Sequence, residues 1–401
     1  MDTRTNEPDT GRAVREIPFG SPVLGVEEKR AVLAVLDGPI LTHGPRGAEF
    51  EKAFAAYIGG GHSVAVSSCA AALHLAYFYL GIGPGDEVLV PAQTHVATAH
   101  AVELCGARPV FVDCDRETGN INVEAIEAAI TPRTRAVSVV HFLGTPVRMD
   151  RVTAIAKVHG LFVVEDCALA VGTYSGGAHA GLVGDVGCFS FYPVKHMTTG
   201  EGGMFVTRHA DIAAKVARQR AFGVDRTVTE RKMPGIYDVD LLGLNYRMSE
   251  LQAALGIEQL KRVPAFLAAR RDNFRLLTEA LQKITGISIL ASADGPEQSS
   301  YYCLSAVLDS RLAAKRPDIV RALKDKGIGT SVYYPRPVPL LSYYKDKYGA
   351  RESDFPNASR ISDQSIALPV GPHLQSEDME YIARALTNVI EEIWLEPSQE
   401  S

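Results

Sequence analysis

Ala136-Val-Ser-Val-Val140, then Met149-Asp-Arg-Val-Thr-Ala-Ile-Ala-Lys157, then Leu161-Phe-Val-Val164 running into Glu165-Asp166-Cys167, decide how this chain folds. The outer two runs are short, β-branched and continuously apolar, which suits strands covered on both faces of a parallel or mixed sheet. The middle run is apolar at helical spacing and reads as a crossover helix. The alternation extends toward the N-terminus. Val64-Ala-Val66, Glu87-Val-Leu-Val90 and Pro109-Val-Phe-Val112 predict strands, and Asn122-Val-Glu-Ala-Ile-Glu-Ala-Ala-Ile130 predicts a helix. A βαβα order implies right-handed crossovers and an open sheet with its ligand site at the carboxyl ends of the strands.

The second half differs. Ser249 to about Leu281 predicts one or two long helices, Tyr301-Tyr-Cys-Leu-Ser-Ala-Val-Leu308 a strand, Pro317–Lys326 a helix and Ser376–Ile393 the last helix. The expected organisation is a frayed tail over 1–15, a large domain over 16–262 and a smaller α+β domain over 263–401. With 401 residues, 46% hydrophobic and 22% charged, the chain has the composition of a soluble globular enzyme. Its net charge, 41 − 47 = −6, argues against a protein built to grip nucleic acid or anionic lipid. Six cysteines without a C-x-x-C pair indicate buried free thiols rather than zinc or disulfides. The polar N-terminus has no signal-peptide pattern, and the apolar run Ala70–Ile82 is too short to span a bilayer, so a cytoplasmic protein is expected.

Three loop positions at strand ends carry chemistry. In Ser67-Ser68-Cys69-Ala70-Ala71, a serine caps a small-residue helix whose N-terminus suits a phosphate; an ordinary capped βα turn is the competing reading. Asp166 stands where an apolar strand ends, so it is buried enough to need a cationic partner. A protonated pyridine nitrogen would serve; a plain salt bridge or a helix cap is the competing reading. In Ser190-Phe-Tyr-Pro-Val-Lys195, an aromatic-rich strand precedes a lysine, and Gly200-Glu-Gly-Gly203 follows. Desolvation lowers an amine's pKa and frees its lone pair, as a Schiff-base lysine requires.

These motifs occur in one order with Gly83-Pro-Gly-Asp-Glu-Val88, Pro91-Ala-Gln-Thr-His-Val-Ala-Thr98, Gly106-Ala-Arg-Pro-Val-Phe-Val-Asp113 and Gly243-Leu-Asn-Tyr-Arg-Met248. From Ile17 to about Ile390 the chain resembles the sugar aminotransferases of the DegT/DnrJ/EryC1/StrS family. The resemblance implies pyridoxal 5′-phosphate (PLP) on an α/β, aspartate-aminotransferase-like (type I) fold, with a mixed, mostly parallel sheet and a smaller C-terminal α+β domain. It makes Lys195 the internal-aldimine lysine and proton carrier, and Asp166 the partner of the protonated ring nitrogen. Ser190, with backbone N–H groups of Ala70 and Ala71 behind Ser68, would hold the phosphate. Asn245 would reach it from a neighbouring subunit, making a homodimer the functional unit. The sequence departs from the family at Cys69-Ala70, where Gly-Thr is usual, at His95, where an aromatic ring stacks on the pyridine, and at Leu169, where Gln or His is frequent.

Lysine at 195, with His196 beside it, favours transamination over the dehydration run by a subgroup with histidine in the lysine's place. The resemblance implies a ping-pong exchange from L-glutamate to a keto or aldehyde sugar, mostly nucleotide-linked in this family, in amino-sugar biosynthesis. Arg218, Arg220, Arg226, Arg231 and Lys232 are candidates for a diphosphate or carboxylate, with a solvated basic loop as the alternative. Val332-Tyr-Tyr-Pro-Arg-Pro337 replaces a stretch where relatives often carry a histidine-bearing substrate loop, which leaves a free acidic sugar open as acceptor. A non-catalytic PLP-binding regulatory homologue is a further alternative. A nucleotide-binding Rossmann protein is disfavoured, because no G-x-G-x-x-G follows the first strand.

Overall fold

A computed structural model describes residues 16–225, 233 and 236–395. The expected tail 1–15 and the candidates Arg226, Arg231 and Lys232 lie outside these residues. Two helices, α1 (Val26–Leu36) and α2 (Pro45–Tyr57), precede the sheet. Then follow β1 (His62–Val66), α3 (Cys69–Leu80), β2 (Glu87–Pro91), α4 (Val96–Leu104), β3 (Arg108–Val112), α5 (Ile126–Ala129), β4 (Thr134–Val140), α6 (Met149–His159) and β5 (Phe162–Asp166). A small hairpin, β6 (Tyr174–Ser175) and β7 (Ala178–His179), leads to β8 (Val186–Ser190), β9 (Gly203–Thr207) and α7 (Ala210–Gln219).

The strands form a seven-stranded sheet in the order β1-β9-β8-β5-β4-β2-β3. Only β9 pairs antiparallel to its neighbours, so it alone runs against the rest. The apolar runs are strands because helices cover both faces: Val88, Val90 and Val164 pack with α3, whereas Leu89, Val137 and Val163 pack with α6. This is the doubly covered parallel arrangement that continuous apolar runs predict.

The chain continues through α8 (Glu250–Leu281), β10 (Ile287–Ile289), β11 (Leu304–Leu308), α9 (Ser310–Ala313), α10 (Arg316–Asp325), α11 (Ser342–Tyr348), α12 (Pro356–Gln364), β12 (Ser365–Leu368) and α13 (Ser376–Leu395). The order β10-β11-β12 makes a second, antiparallel sheet with its own core under α10 and α13. α8 is a single helix that crosses residue 263 and contains Pro264. A Ser249–Gln252 capping box starts it.

Two expectations change. The helix foreseen over 122–130 is a 3-10 turn, Val123–Ala125, followed by one turn of α5; Asn122 caps the turn through Glu124 N–H. The strand foreseen from Tyr301 begins at Leu304, because Tyr301 sits at φ 51°, a left-handed conformation that no strand accepts. The resulting bend faces Tyr302 toward Lys195. All six cysteines are free thiols, five of them buried.

Candidate active site

Four chain segments meet at one end of the large sheet. Val66, the last residue of β1, pairs with Gly203, the first of β9, which pairs in turn with Ser190, the last of β8. Asp166, the last of β5, pairs with Cys188. Because β9 runs backward, its beginning lies where the other strands end.

The start of α3 sits directly above this row. Ser68 caps the helix by accepting the Ala71 N–H at 3.0 Å. That bond already occupies the Ala71 donor, so the N–H groups left without a carbonyl one turn back are those of Cys69 and Ala70. A Cβ on Gly203 would stand 2.6 Å from Cys69 N, so only glycine lets β9 pass this close. Ser190 is buried, with its hydroxyl 3.4 Å from the Tyr192 N–H. Free helix N–H groups and a serine hydroxyl beside a positive dipole end suit the phosphate of PLP.

Cys69 does more than stand in for a glycine. Its thiol lies 3.3 Å from the Cys188 carbonyl and 3.8 Å from Asp166 Oδ1. Burial and the adjacent Asp166 push its pKa well up, so it is a neutral donor. Asp166, only 4% exposed, also accepts the Ala168 N–H on Oδ1 at 3.0 Å and the Thr98 hydroxyl on Oδ2 at 2.8 Å. Its neighbour Glu165 is separately satisfied, by His141 at 2.9 Å and by the N–H groups of Gly181, Val183 and Gly184. Those bonds hold the Glu165 pKa below the usual carboxylate value despite full burial.

Lys195 sits in the turn after β8, with its Nζ 5.2 Å from the centre of the Tyr302 ring. Among the described residues it forms no ion pair. Burial lowers its pKa, and Cys69, Asp166 and Cys303 oppose that shift. An amine short of partners and poised to lose its proton is the nucleophile that an aldehyde cofactor needs. His95 caps α4 by accepting the Ala97 N–H on Nδ1, and its ring meets Tyr334 edge-on at 5.7 Å. Burial lowers its pKa.

Other candidates fall elsewhere. Leu169 is 3% exposed and packs among Phe142, Leu143 and Tyr302, while its carbonyl accepts the Ser300 hydroxyl. Asn245 is exposed; its backbone bridges to Ala221 on a segment that also exposes Phe222, Val239 and Leu242. Arg218 is not available to a substrate, because it bonds the Val224 and Gly223 carbonyls and pairs with Asp240. Arg220 likewise holds Glu51 and the Ala65 carbonyl. Both arginines pin the chain after α7, which corrects their reading as anion contacts.

Sequence reasoning gave no role to Thr98, Gln93 or Tyr302. Tyr302 Oη bonds Tyr333 Oη at 2.8 Å, Gln93 donates to the Tyr333 carbonyl at 2.9 Å, and Ser362 donates to Gln93. The signal was present in the polar pair Gln93-Thr94 directly after a fully buried strand, where unsatisfied amides and hydroxyls are costly.

A profile of the DegT/DnrJ/EryC1/StrS aminotransferase family matches residues 22–387. The spore coat polysaccharide biosynthesis protein SpsC of Bacillus subtilis is 39% identical over 379 residues, 93% of this chain and 97% of that protein. The structure of the aminotransferase TlmJ from Streptoalloteichus hindustanus superposes with a TM-score of 0.87 at 31% identity, covering 94% of this chain and all of that one. The PLP form of Spr1654 from Streptococcus pneumoniae gives 0.88 at 28% identity, with 94% and 100% coverage. The aspartate-aminotransferase-like architecture, the matched length and the clustered lysine and aspartate agree: the chain belongs to the DegT/DnrJ/EryC1/StrS aminotransferase family and is a PLP-dependent sugar aminotransferase.

Proposed function

We propose that the protein moves an amino group from L-glutamate to a keto or aldehyde sugar, nucleotide-linked in the leading reading, by a ping-pong exchange in amino-sugar biosynthesis. The observation that carries this reading is the convergence of Lys195, Asp166 and the open N-terminus of α3 on one end of the sheet. Bound PLP would supply an aldehyde for amines and a pyridinium ring that accepts electron density. The chain does the rest. The Cys69 and Ala70 N–H groups and the Ser190 hydroxyl hold the phosphate. Asp166 would hold the proton on the ring nitrogen, and His95 would lie against the ring. Lys195, its pKa lowered by burial, would be the amine that pairs with the cofactor aldehyde and, when free of it, the group that holds and releases a proton beside the reacting carbons.

A homodimer completes the site in this reading. Support comes from exposed apolar side chains in two places, Leu24, Val26, Leu33, Leu36, Ile40 and Leu41 near α1, and Phe222, Ile236, Val239 and Leu242 beside Asn245. Exposed apolar side chains that cluster in this way mark interaction surfaces. Asn245 of one subunit would then meet the phosphate held by its partner. Among the described residues no helix is long and apolar enough to cross a membrane, and the buried thiols suit work in the cytoplasm.

A free acidic sugar is the second acceptor reading, favoured by Val332-Tyr-Tyr-Pro-Arg-Pro337 standing where relatives often carry a histidine-bearing substrate loop. The test is a screen of nucleotide-linked and free keto sugars against glutamate-charged enzyme, read by mass spectrometry. Lys195→Ala should abolish both the visible band of lysine-bound cofactor and turnover, and Asp166→Ala should keep the fold but cripple both half-reactions. Normal transamination in the lysine variant removes the proposal.

A further inference from the structure

Asp166 has about four lone-pair sites on its two oxygens, and the protein fills them unevenly. Oδ1 takes the Ala168 N–H at 3.0 Å, with the Cys69 thiol 3.8 Å away. Among the described residues Oδ2 takes only the Thr98 hydroxyl, at 2.8 Å. Thr98 Oγ1 lies a further 2.8 Å from Thr94 Oγ1, and the two threonines are 0% and 1% exposed.

The direction of each bond follows from valence. A carboxylate only accepts, so the single hydroxyl proton of Thr98 is committed to Asp166. The Thr98 oxygen must then accept from Thr94, whose proton points the same way. The chain Thr94→Thr98→Asp166 is therefore polarised toward the carboxylate.

We propose that Thr98, backed by Thr94, is a positioning residue that fixes the orientation of the Asp166 carboxylate and leaves the open lone pair of Oδ2 for the ring nitrogen of the cofactor. This rests on the reading of Asp166 as the ring-nitrogen partner. It adds a source of rigidity. Thr98 lies three residues after His95 in the first turn of α4, on the same helical face. One helix turn therefore sets both the group that covers the ring and the group that orients its counter-ion. Asp166 itself comes from β5, three strands away from β3 and separated from β2 by β4, so the hydroxyl also ties the α4 layer to the central strand.

The test compares two cofactors on cofactor-stripped protein: PLP and its 1-deaza analogue, whose ring carries C–H in place of nitrogen. Equilibrium dialysis gives both dissociation constants. Thr98→Val should raise the constant for PLP about tenfold, the scale of a lost hydrogen bond to a charged group, and that for the analogue less than about twofold. Thr98→Ser, which keeps the hydroxyl, should restore PLP binding, and Thr94→Val should weaken it about threefold through the same chain. Should Thr98→Val fail to melt cooperatively, Thr94→Val and Thr98→Ser carry the comparison. Equal losses for both cofactors would mean mere loosening of the pocket and overturn the relay, as would unchanged PLP binding. A wild-type protein that takes up neither cofactor overturns the PLP reading, and this inference with it.

Discussion

Gly203→Ala probes whether the passage of β9 beneath α3 builds the phosphate cradle. A Cβ at this position would stand 2.5 Å from the Ser68 carbonyl carbon, 2.6 Å from Cys69 N and 2.7 Å from Phe189 O. Non-bonded carbon atoms rest at about 3.5–4.0 Å, so the strand and the helix start must part by about 1 Å. All three obstacles are backbone atoms, and no flexible side chain can swing aside. Overpacking of this kind costs about 1–3 kcal/mol, which predicts a melting temperature lower by a few degrees. The displacement also pulls the Cys69 and Ala70 N–H groups off the position of the phosphate. Losing one charge-assisted bond there is worth about 1.5–3 kcal/mol, a tenfold to hundredfold weaker PLP dissociation constant. Pyridoxal, which lacks the phosphate, is the internal control, and its affinity should fall far less. Dialysis of both ligands against wild type and variant gives the answer. PLP binding within about twofold of wild type, or equal losses for PLP and pyridoxal, would refute the assignment of the cradle to this contact.

Two further outcomes follow from other parts of the chain. Mixing Lys195→Ala and Asn245→Ala subunits should restore activity, because one site of the heterodimer then carries both lesions and the other neither; with equal mixing, about a quarter of wild-type activity is expected. No recovery would place Asn245 outside its partner's site. Burial lowers the His179 pKa to about 4, its Nε2 accepting the Gly172 N–H and its Nδ1 facing the Ala180 carbonyl at 2.6 Å. Between pH 6.5 and about 4 the unfolded chain therefore binds the extra proton, so stability falls as pH drops through this window. From pH 7 to 5 this histidine should cost about 2 kcal/mol, and His179→Gln should flatten the urea-denaturation midpoint over that range; an equally steep loss in the variant would remove the claim.

What the sequence reveals is what neighbouring residues decide among themselves. β4 and β5 are legible because burial on both faces writes itself as an unbroken apolar run, α6 because its buried residues recur at helical spacing, and Ser68 because a cap needs only the next three residues. Asp166 and Lys195 stand out as charged groups abutting apolar strands. The expectation of a helix over 122–130 failed because apolar spacing persists through a 3-10 turn as well as through an α-helix. Hydrogen bonds across long sequence separations leave at most a polar residue beside a buried strand, as at Gln93, and never name the partner. Thr98 to Asp166 and Tyr302 to Tyr333 could not be read, nor could the ion pairs that tie Arg218 and Arg220 into the fold.

The single backward strand explains why a short link can carry the lysine. Had β9 run parallel to β8, the chain after Ser190 would have had to cross to the opposite end of the sheet before re-entering. Lys195 would then sit on a crossover with no reason to stay beside Asp166. Antiparallel pairing, Ser190 to Gly203, keeps both ends of the 191–202 link at the same edge. Within it, the Phe191 N–H bonds the Gly202 carbonyl and the Thr199 N–H bonds the Phe191 carbonyl, each at 2.9 Å, which closes the link onto itself. The same pairing delivers Gly203 beneath α3. The strand reversal thus fixes amine and phosphate cradle relative to each other through one hydrogen-bonded ladder, and a change that frays this ladder at Ser190–Gly203 should loosen both together.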